Sequence, residues 1–384
     1  MKSDIKISLE HHFSSLQDPR IDRTKRHKLL DILVISICAV IAGADSWYDI
    51  EAFGEAKEGW FRQFLELPNG IPSHDTFGRL FARLDPEQFE TCFRHWVAVN
   101  SKVIPGEIVA IDGKVLRGSH DKWLGKGAID IVSAWASTNH LILGQVKVDD
   151  KSNEITAIPQ LLTALQIAGC IVTIDAMGCQ TEIAEQIIDQ EGDYVLALKG
   201  NQGQLHEDVG LLFDDLEASD YKAYDYDYTK TIDKGHGRIE VRECWSISDP
   251  NLLHNLRGAA KWKSLKSVVR IRSQRRIGEK QTTENRYYIA SIIKAKPILT
   301  ATRFHWGIEN KVHWVLDVAF DEDRCRSRKD NSAENLSTLR RLALNLLRQE
   351  KTCKRSIKGK RLVAGWKNDY LHKVLSGLAI VNQN

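Results

Sequence analysis

The chain has 384 residues, 42% of them apolar and 27% charged, with 8 prolines and a formal net charge of +3. This composition excludes a wholly disordered chain and a Pro-rich linker, and at roughly 150 residues per domain the length suggests two or three domains. Seven scattered cysteines (Cys38, Cys92, Cys170, Cys179, Cys244, Cys325, Cys353) with no CxxC pair argue against a disulfide framework or a zinc knuckle.

Reduced thiols fit a cytoplasmic protein. The longest apolar run, Ile32 to Ala44, falls short of the ~20 residues of a spanning helix and predicts a buried helix with no membrane partner. Net charge conceals an asymmetry. Residues 180–233 carry 14 acids against three lysines, residues 323–361 carry 13 Lys/Arg against four acids, and residues 261–276 add seven cations. Separated basic blocks of this kind can meet polyanions locally, although each taken alone is more often a solvated face.

Residues 8–100 read as an α-helical N-terminal domain. Apolar residues recur at helical spacing in 27–44 and 50–64, Ser73 can cap the next helix, and Asp85-Pro86 restarts the pattern. A helix pair around a short turn can bind DNA but is more often plain bundle structure. From Glu107 the pattern changes: 107–112, 129–137 and 141–148 read as strands, 154–167 as a helix, 170–175 as a strand, 181–190 as a helix and 194–198 as a strand. Three strands followed by helix–strand–helix–strand predict an α/β fold, with the mixed sheet of a ribonuclease H-like core. Residues 203–295 read as a mainly β insertion, with strands at 224–229, 238–246, 267–273 and 286–293. The core then resumes over 296–350, and 351–384 forms a basic C-terminal tail.

Phosphate-loop, dinucleotide, zincin and serine-hydrolase signatures are missing from the sequence. What remains is carboxylate placement. Asp112 follows Val109-Ala110-Ile111 and Asp175 follows Val172-Thr173-Ile174, each with a small residue after it (Gly113, Ala176). Two strand-ending carboxylates on neighbouring strands could hold a hard cation, and two ions ~4 Å apart support in-line attack on a phosphodiester. An Asp closing a strand is also a common turn residue. In the stretch from Arg303 to Trp314, a helix would put His305, Glu309 and His313 on one face. Glu309 could complete the set, or could be a surface residue beside core tryptophans.

The strings AIDGK at 110–114, TIDA at 173–176, KGNQ at 199–202, GHGRIE at 235–240 and HWGIEN at 305–310 together resemble a bacterial insertion-sequence DDE transposase, and within that family the H-repeat-associated group. The resemblance covers about His12 to Gln349. It implies a ribonuclease H-like core, Asp112, Asp175 and Glu309 as the catalytic and metal-binding triad, and Mg²⁺-dependent DNA cleavage and strand transfer, with Mn²⁺ as an alternative ion. It also implies terminal inverted repeats and target DNA as partners, a homodimer to synapse two ends, and a cytoplasmic protein that joins the nucleoid when bound to DNA. The wider superfamily sets Tyr, Arg and Lys around the Glu where this chain has Thr302, His305 and Leu316.

Lys199, Asn201, Arg303, His305, Lys311, Arg324, Arg326 and Arg328 are the expected DNA contacts. The last three alternate, so an extended segment would point them one way, towards phosphates or towards the acidic 180–233 region. A metal nuclease that does not join strands, and an inactive DNA-binding relic, remain alternatives.

Overall fold

The structure, a computed structural model, describes residues 10–100, 104–121, 125–149, 152–235 and 237–378; His236 of the GHGRIE string lies outside them. Nine strands form one sheet in the order β3-β2-β1-β4-β5-β9-β8-β7-β6. They are β1 Ile108–Leu116, β2 Ile129–Ala136, β3 Leu141–Lys147, β4 Ile171–Ile174, β5 Asp193–Leu198, β6 Asp227–Gly235, β7 Arg238–Ile247, β8 Ser267–Ile277 and β9 Lys280–Ala290. β1, β4 and β5 run parallel, while β2 is antiparallel to both β1 and β3.

The β-rich segment is not a separate sheet. β9 pairs antiparallel with β5, Val195↔Ala290 to Leu198↔Tyr287, so the four later strands extend the first five. This segment also opens with a helix, Gly203–Ala218, that the β reading passed over. Its buried residues Leu205, Val209, Phe213 and Leu216 stand at helical spacing, and they pack against the sheet face that holds Val172, Tyr194 and Trp245.

Both faces of the central strands are covered. Val109 and Ile111 join the core under the helices Glu154–Thr163 and Thr181–Asp189, whereas Ala110 faces the opposite core, as strand alternation requires. That opposite core gathers Ile35, Phe81 and Trp96 from the N-terminal helices with Leu339 and Leu347 of the helix Ser332–Gln349. The N-terminal region therefore shares one apolar core with the sheet. Asp85 Oδ1 accepts the N–H of Glu87 and Gln88 (2.9 and 3.2 Å), starting the helix Pro86–Asn100 as an N-cap does.

No single described helix is long and apolar enough to cross a membrane; Leu29–Ala42 is a buried core helix. Residues Ile357–Trp366 and Asn368–Leu375 are helices, so much of the expected tail is folded. Within it Arg361 is buried, donating to the carbonyls of Val40 and Ala44 (both 3.1 Å).

Candidate active site

Parallel pairing of β1 with β4 ends at Ile111↔Ile174. Asp112 and Asp175 are therefore the next positions on two adjacent strands. β1 itself continues to Leu116 against β2, so Asp112 lies within a strand and does not end one. The distinction has a backbone cause. β2 still satisfies one edge of β1, while β4 turns away after Ile174 and opens a gap beside Asp112. Asp175 holds that turn, with Oδ1 accepting the N–H of Met177 and Gly178 (3.0 and 3.4 Å).

Glu309 reaches the same place from a helix. Ala295–Gly307 is α-helical, Ile308–His313 is a π-helical turn, and Trp314–Phe320 resumes the α-helix. The regular i,i+4 face expected for His305, Glu309 and His313 is thus interrupted at Glu309 itself. π-turns are rare and favour functional sites. Buried Ile308 and Val312 anchor the turn, leaving Glu309 to face outward. Asp112, Asp175, Glu309, His305 and Lys199 line one cavity of about 350 Å³.

The carboxylates feel one another. Burial, then the charges of Glu309, Asp175 and Glu154, push Asp112 up to about 7. Glu154 also rises to about 7, through burial and the charges of Asp130 and Asp175. His313 Nδ1 lies 3.5 Å from Asp112 Oδ2, but burial and the nearby Arg341 and Lys114 hold its pKa down to about 3. It is a neutral neighbour, not an ion-pair partner. His305, lowered chiefly by burial, contacts Thr173 Oγ1 through Nδ1 at 3.2 Å. Among the described residues no three His, Cys, Asp or Glu side chains are closed around a point as a metal cage would be. The donor chemistry nevertheless fits a hard divalent cation, since all three carboxylates offer oxygen and each opposes the others' charge.

The expected DNA-contact residues divide into two sets. Lys199 is exposed at the cavity rim, and Arg326 is exposed beyond the helix. Lys311 is exposed, its ammonium 5.5 Å from the Trp135 ring centre. Asn201, Arg303, His305 and Arg328 are engaged within the protein. Asn201 Nδ2 donates to Ala176 O (2.6 Å) and braces the turn after Asp175. Arg303 pairs with Asp233 (2.9 Å), and Arg328 Nε donates to Gly118 O (2.9 Å). Arg324 belongs with the exposed set: it sits in a 3-10 turn with its side chain 85% exposed and Asp321 3.6 Å away. The three arginines therefore do not share one extended segment, and of the acids in 180–233 only Asp233 meets one of the expected residues, Arg303.

The sequence reading missed the bracing around the site. Lys114, two residues beyond Asp112, bonds Asp317 (2.7 and 2.8 Å) and Asp323 (3.2 Å), tying β1 to the chain after Glu309. Glu322 forms a buried pair with Arg341 at 3.0 Å. All three acids fall within residues 316–323. Their clustering was visible, but Lys114 stands 203 positions from Asp317.

Comparison with known proteins bears on what this arrangement belongs to. A model of the transposase DDE domain matches residues 104–346, and a model of the DDE transposase-associated region matches residues 10–97. The "H repeat-associated putative transposase YhhI" of Escherichia coli K12 is 41% identical over 374 residues, 96% of this chain and 98% of the relative. The "Putative transposase YncI" of Escherichia coli O157:H7 is 42% identical over 381 residues, 96% and 94%. A shorter relative, 45% identical over 75 residues, bears the name "Inactive transposase YbfQ". Among solved structures, a piggyBac transposase synaptic complex with hairpin DNA aligns at 12% identity and TM-score 0.44, over 97% of this chain and 78% of that one. By the family match and by full-length identity above 40%, this chain belongs to the DDE transposase family.

Proposed function

We propose that the protein is an insertion-sequence transposase that cuts and joins DNA strands, with Asp112, Asp175 and Glu309 as its catalytic carboxylates. The observation that carries this reading is that the three line one cavity, two from adjacent strands and one from a remote helix. The order β3-β2-β1-β4-β5, with β2 antiparallel, supports a ribonuclease H-like core formed by 105–202 and 296–350. Residues 203–295 are then its insertion, and 8–100 with the basic surface of 351–384 are DNA-end binders.

The substrate is a phosphodiester. The oxygen of water forms a bond to phosphorus as the bond to the 3′-oxygen breaks, leaving a 3′-hydroxyl. That hydroxyl attacks a second phosphodiester in the same way and joins the strands. The three carboxylates would hold Mg²⁺ or Mn²⁺, whose charge would stabilise the phosphorane-like transition state and acidify the attacking oxygen. The chain's own part is positioning. Asp112 and Asp175 are fixed by adjacent strands, Glu309 by the anchored π-turn, and Lys199 stands at the rim to meet a phosphate oxygen. Exposed Lys311 and Arg326 extend that contact along the backbone. Terminal inverted repeats and target DNA are the partners, a homodimer would hold two ends, and the site of action is the nucleoid in the cytoplasm.

The test is a strand-transfer assay with labelled terminal-repeat ends, with Mg²⁺ and with chelator. Joined product that depends on the metal is expected. Cleavage without any joined product would make the protein a nuclease.

A further inference from the structure

A further carboxylate lies against the backbone next to Asp112. Glu154 is the first residue of the helix Glu154–Thr163, with Asn153 as its N-cap. This helix covers the sheet face opposite to the one Asp112 points to, the face towards which Gly113 is directed. A Cβ built on Gly113 would stand 1.9 Å from Glu154 Oε1 and 2.4 Å from its Cδ. The carboxylate therefore occupies the place where any other side chain at position 113 would be. Only glycine there lets Glu154 reach the backbone beside Asp112.

The approach is not explained by bonding within the protein. Among the described residues the Glu154 carboxylate has no hydrogen-bond donor and no basic partner. Its charged neighbours are acids, Asp130 on β2 and Asp175 across the gap, and its charge acts on Asp112 as well. An acid at a helix start is favourable, and that benefit is equally available pointing into water. Half-buried and facing like charge, its ionised form is unfavourable unless a cation lies among these acids.

We propose that Glu154 is a fourth carboxylate of the cation site, reaching it through the cradle left by Gly113. The inference rests on the reading of Asp112 and Asp175 as cation ligands. Glu154 supplies a further oxygen from the opposite sheet face, where the parting of β1 and β4 leaves the centre open.

Mn²⁺ binding to the full-length protein without DNA tests this, measured by calorimetry and by electron paramagnetic resonance of free Mn²⁺. Glu154→Gln, which keeps the shape and removes the charge, is expected to weaken binding about tenfold or more. Gly113→Ala should do the same by displacing the carboxylate. Glu182→Gln, the exposed first-turn acid of Thr181–Asp189, should bind as wild type. If Glu154→Gln binds Mn²⁺ like wild type while Asp112→Asn and Asp175→Asn do not, Glu154 is only a helix-start acid facing Asp130 and the inference fails alone. If all three bind like wild type, the reading of the aspartates fails with it.

Discussion

Gly307 lies so close to the indole of Trp135 that a Cβ on it would stand 2.4 Å from Cζ3 and 2.7 Å from Cη2. Trp135 is fully buried on β2, the neighbour of β1, and Gly307 is the last α-helical residue before the turn that carries Glu309. The separation of Glu309 from the strand aspartates is thus set by a direct helix-to-sheet contact that no larger residue permits.

Gly307→Ala should push this helix away from the sheet. Overpacking of this kind costs about 1–3 kcal/mol, and a small misplacement of a reacting group can cost about a hundredfold in rate. Thermal melts and single-turnover cleavage are the measurements. Trp135→Phe in the same chain should restore part of the rate by vacating space, whereas wild-type cleavage by Gly307→Ala would mean that the contact is slack.

Asp112 makes the metal-free protein sensitive to pH. Its folded pKa, about 7, lies above the unfolded value of about 4. The stability its protonation contributes is therefore present below pH ~4 and lost as pH rises through ~7. Asp112→Asn avoids that loss. In chelator the variant should melt higher than wild type at pH 8, by an amount on the order of a few kcal/mol, with a smaller difference at pH 5. Mg²⁺ should narrow the gap at pH 8 by stabilising wild type alone. A lower melting temperature for Asp112→Asn in chelator at pH 8 would contradict the charge crowding.

Lys114 is nearly buried, 7% exposed, and its two carboxylate partners are 32% and 24% exposed. Lys114→Met would leave Asp317 without its cation and Asp323 with only Arg117, 3.6 Å away. With the partners part-solvated the loss should be roughly 2 kcal/mol, below the range for a fully buried pair. The companion change Asp317→Asn should recover part of it in denaturant titrations; strictly additive effects would show that the two side chains do not interact.

For DNA binding the arginines after the helix should behave differently from one another. Neutralising the exposed Arg326 should flatten the salt dependence by about 0.9 log–log units if it meets one phosphate of duplex DNA. Arg328→Ala, which removes the bond to Gly118 O, should lower stability and leave the slope nearly unchanged. Equal slope changes in both variants would place Arg328 on the DNA instead.

The strand and helix pattern from 107 to 198 was legible because buried strands there are short apolar runs and the helices between them repeat at 3.6. Asp112 and Asp175 were legible for the same reason, each interrupting such a run. The helix Gly203–Ala218 was missed because its 16 residues are strongly acidic and run into the β-type segments that follow, although its four core positions stand at helical spacing. The union of the later strands with the core sheet depends on the β5–β9 pairing, which joins residues almost a hundred positions apart. Glu154 read only as the start of a helix, because what singles it out is the missing side chain at Gly113.

The most direct measurement is metal-dependent cleavage of a labelled terminal-repeat end by wild type, Asp112→Asn, Asp175→Asn and Glu309→Gln, with DNA binding measured in parallel. Each substitution removes one carboxylate charge near the phosphate. Cleavage should fall roughly a thousandfold in all three, while DNA binding stays equal or becomes slightly tighter. Near wild-type cleavage by any one of them would remove that residue from the catalytic set and contradict the account.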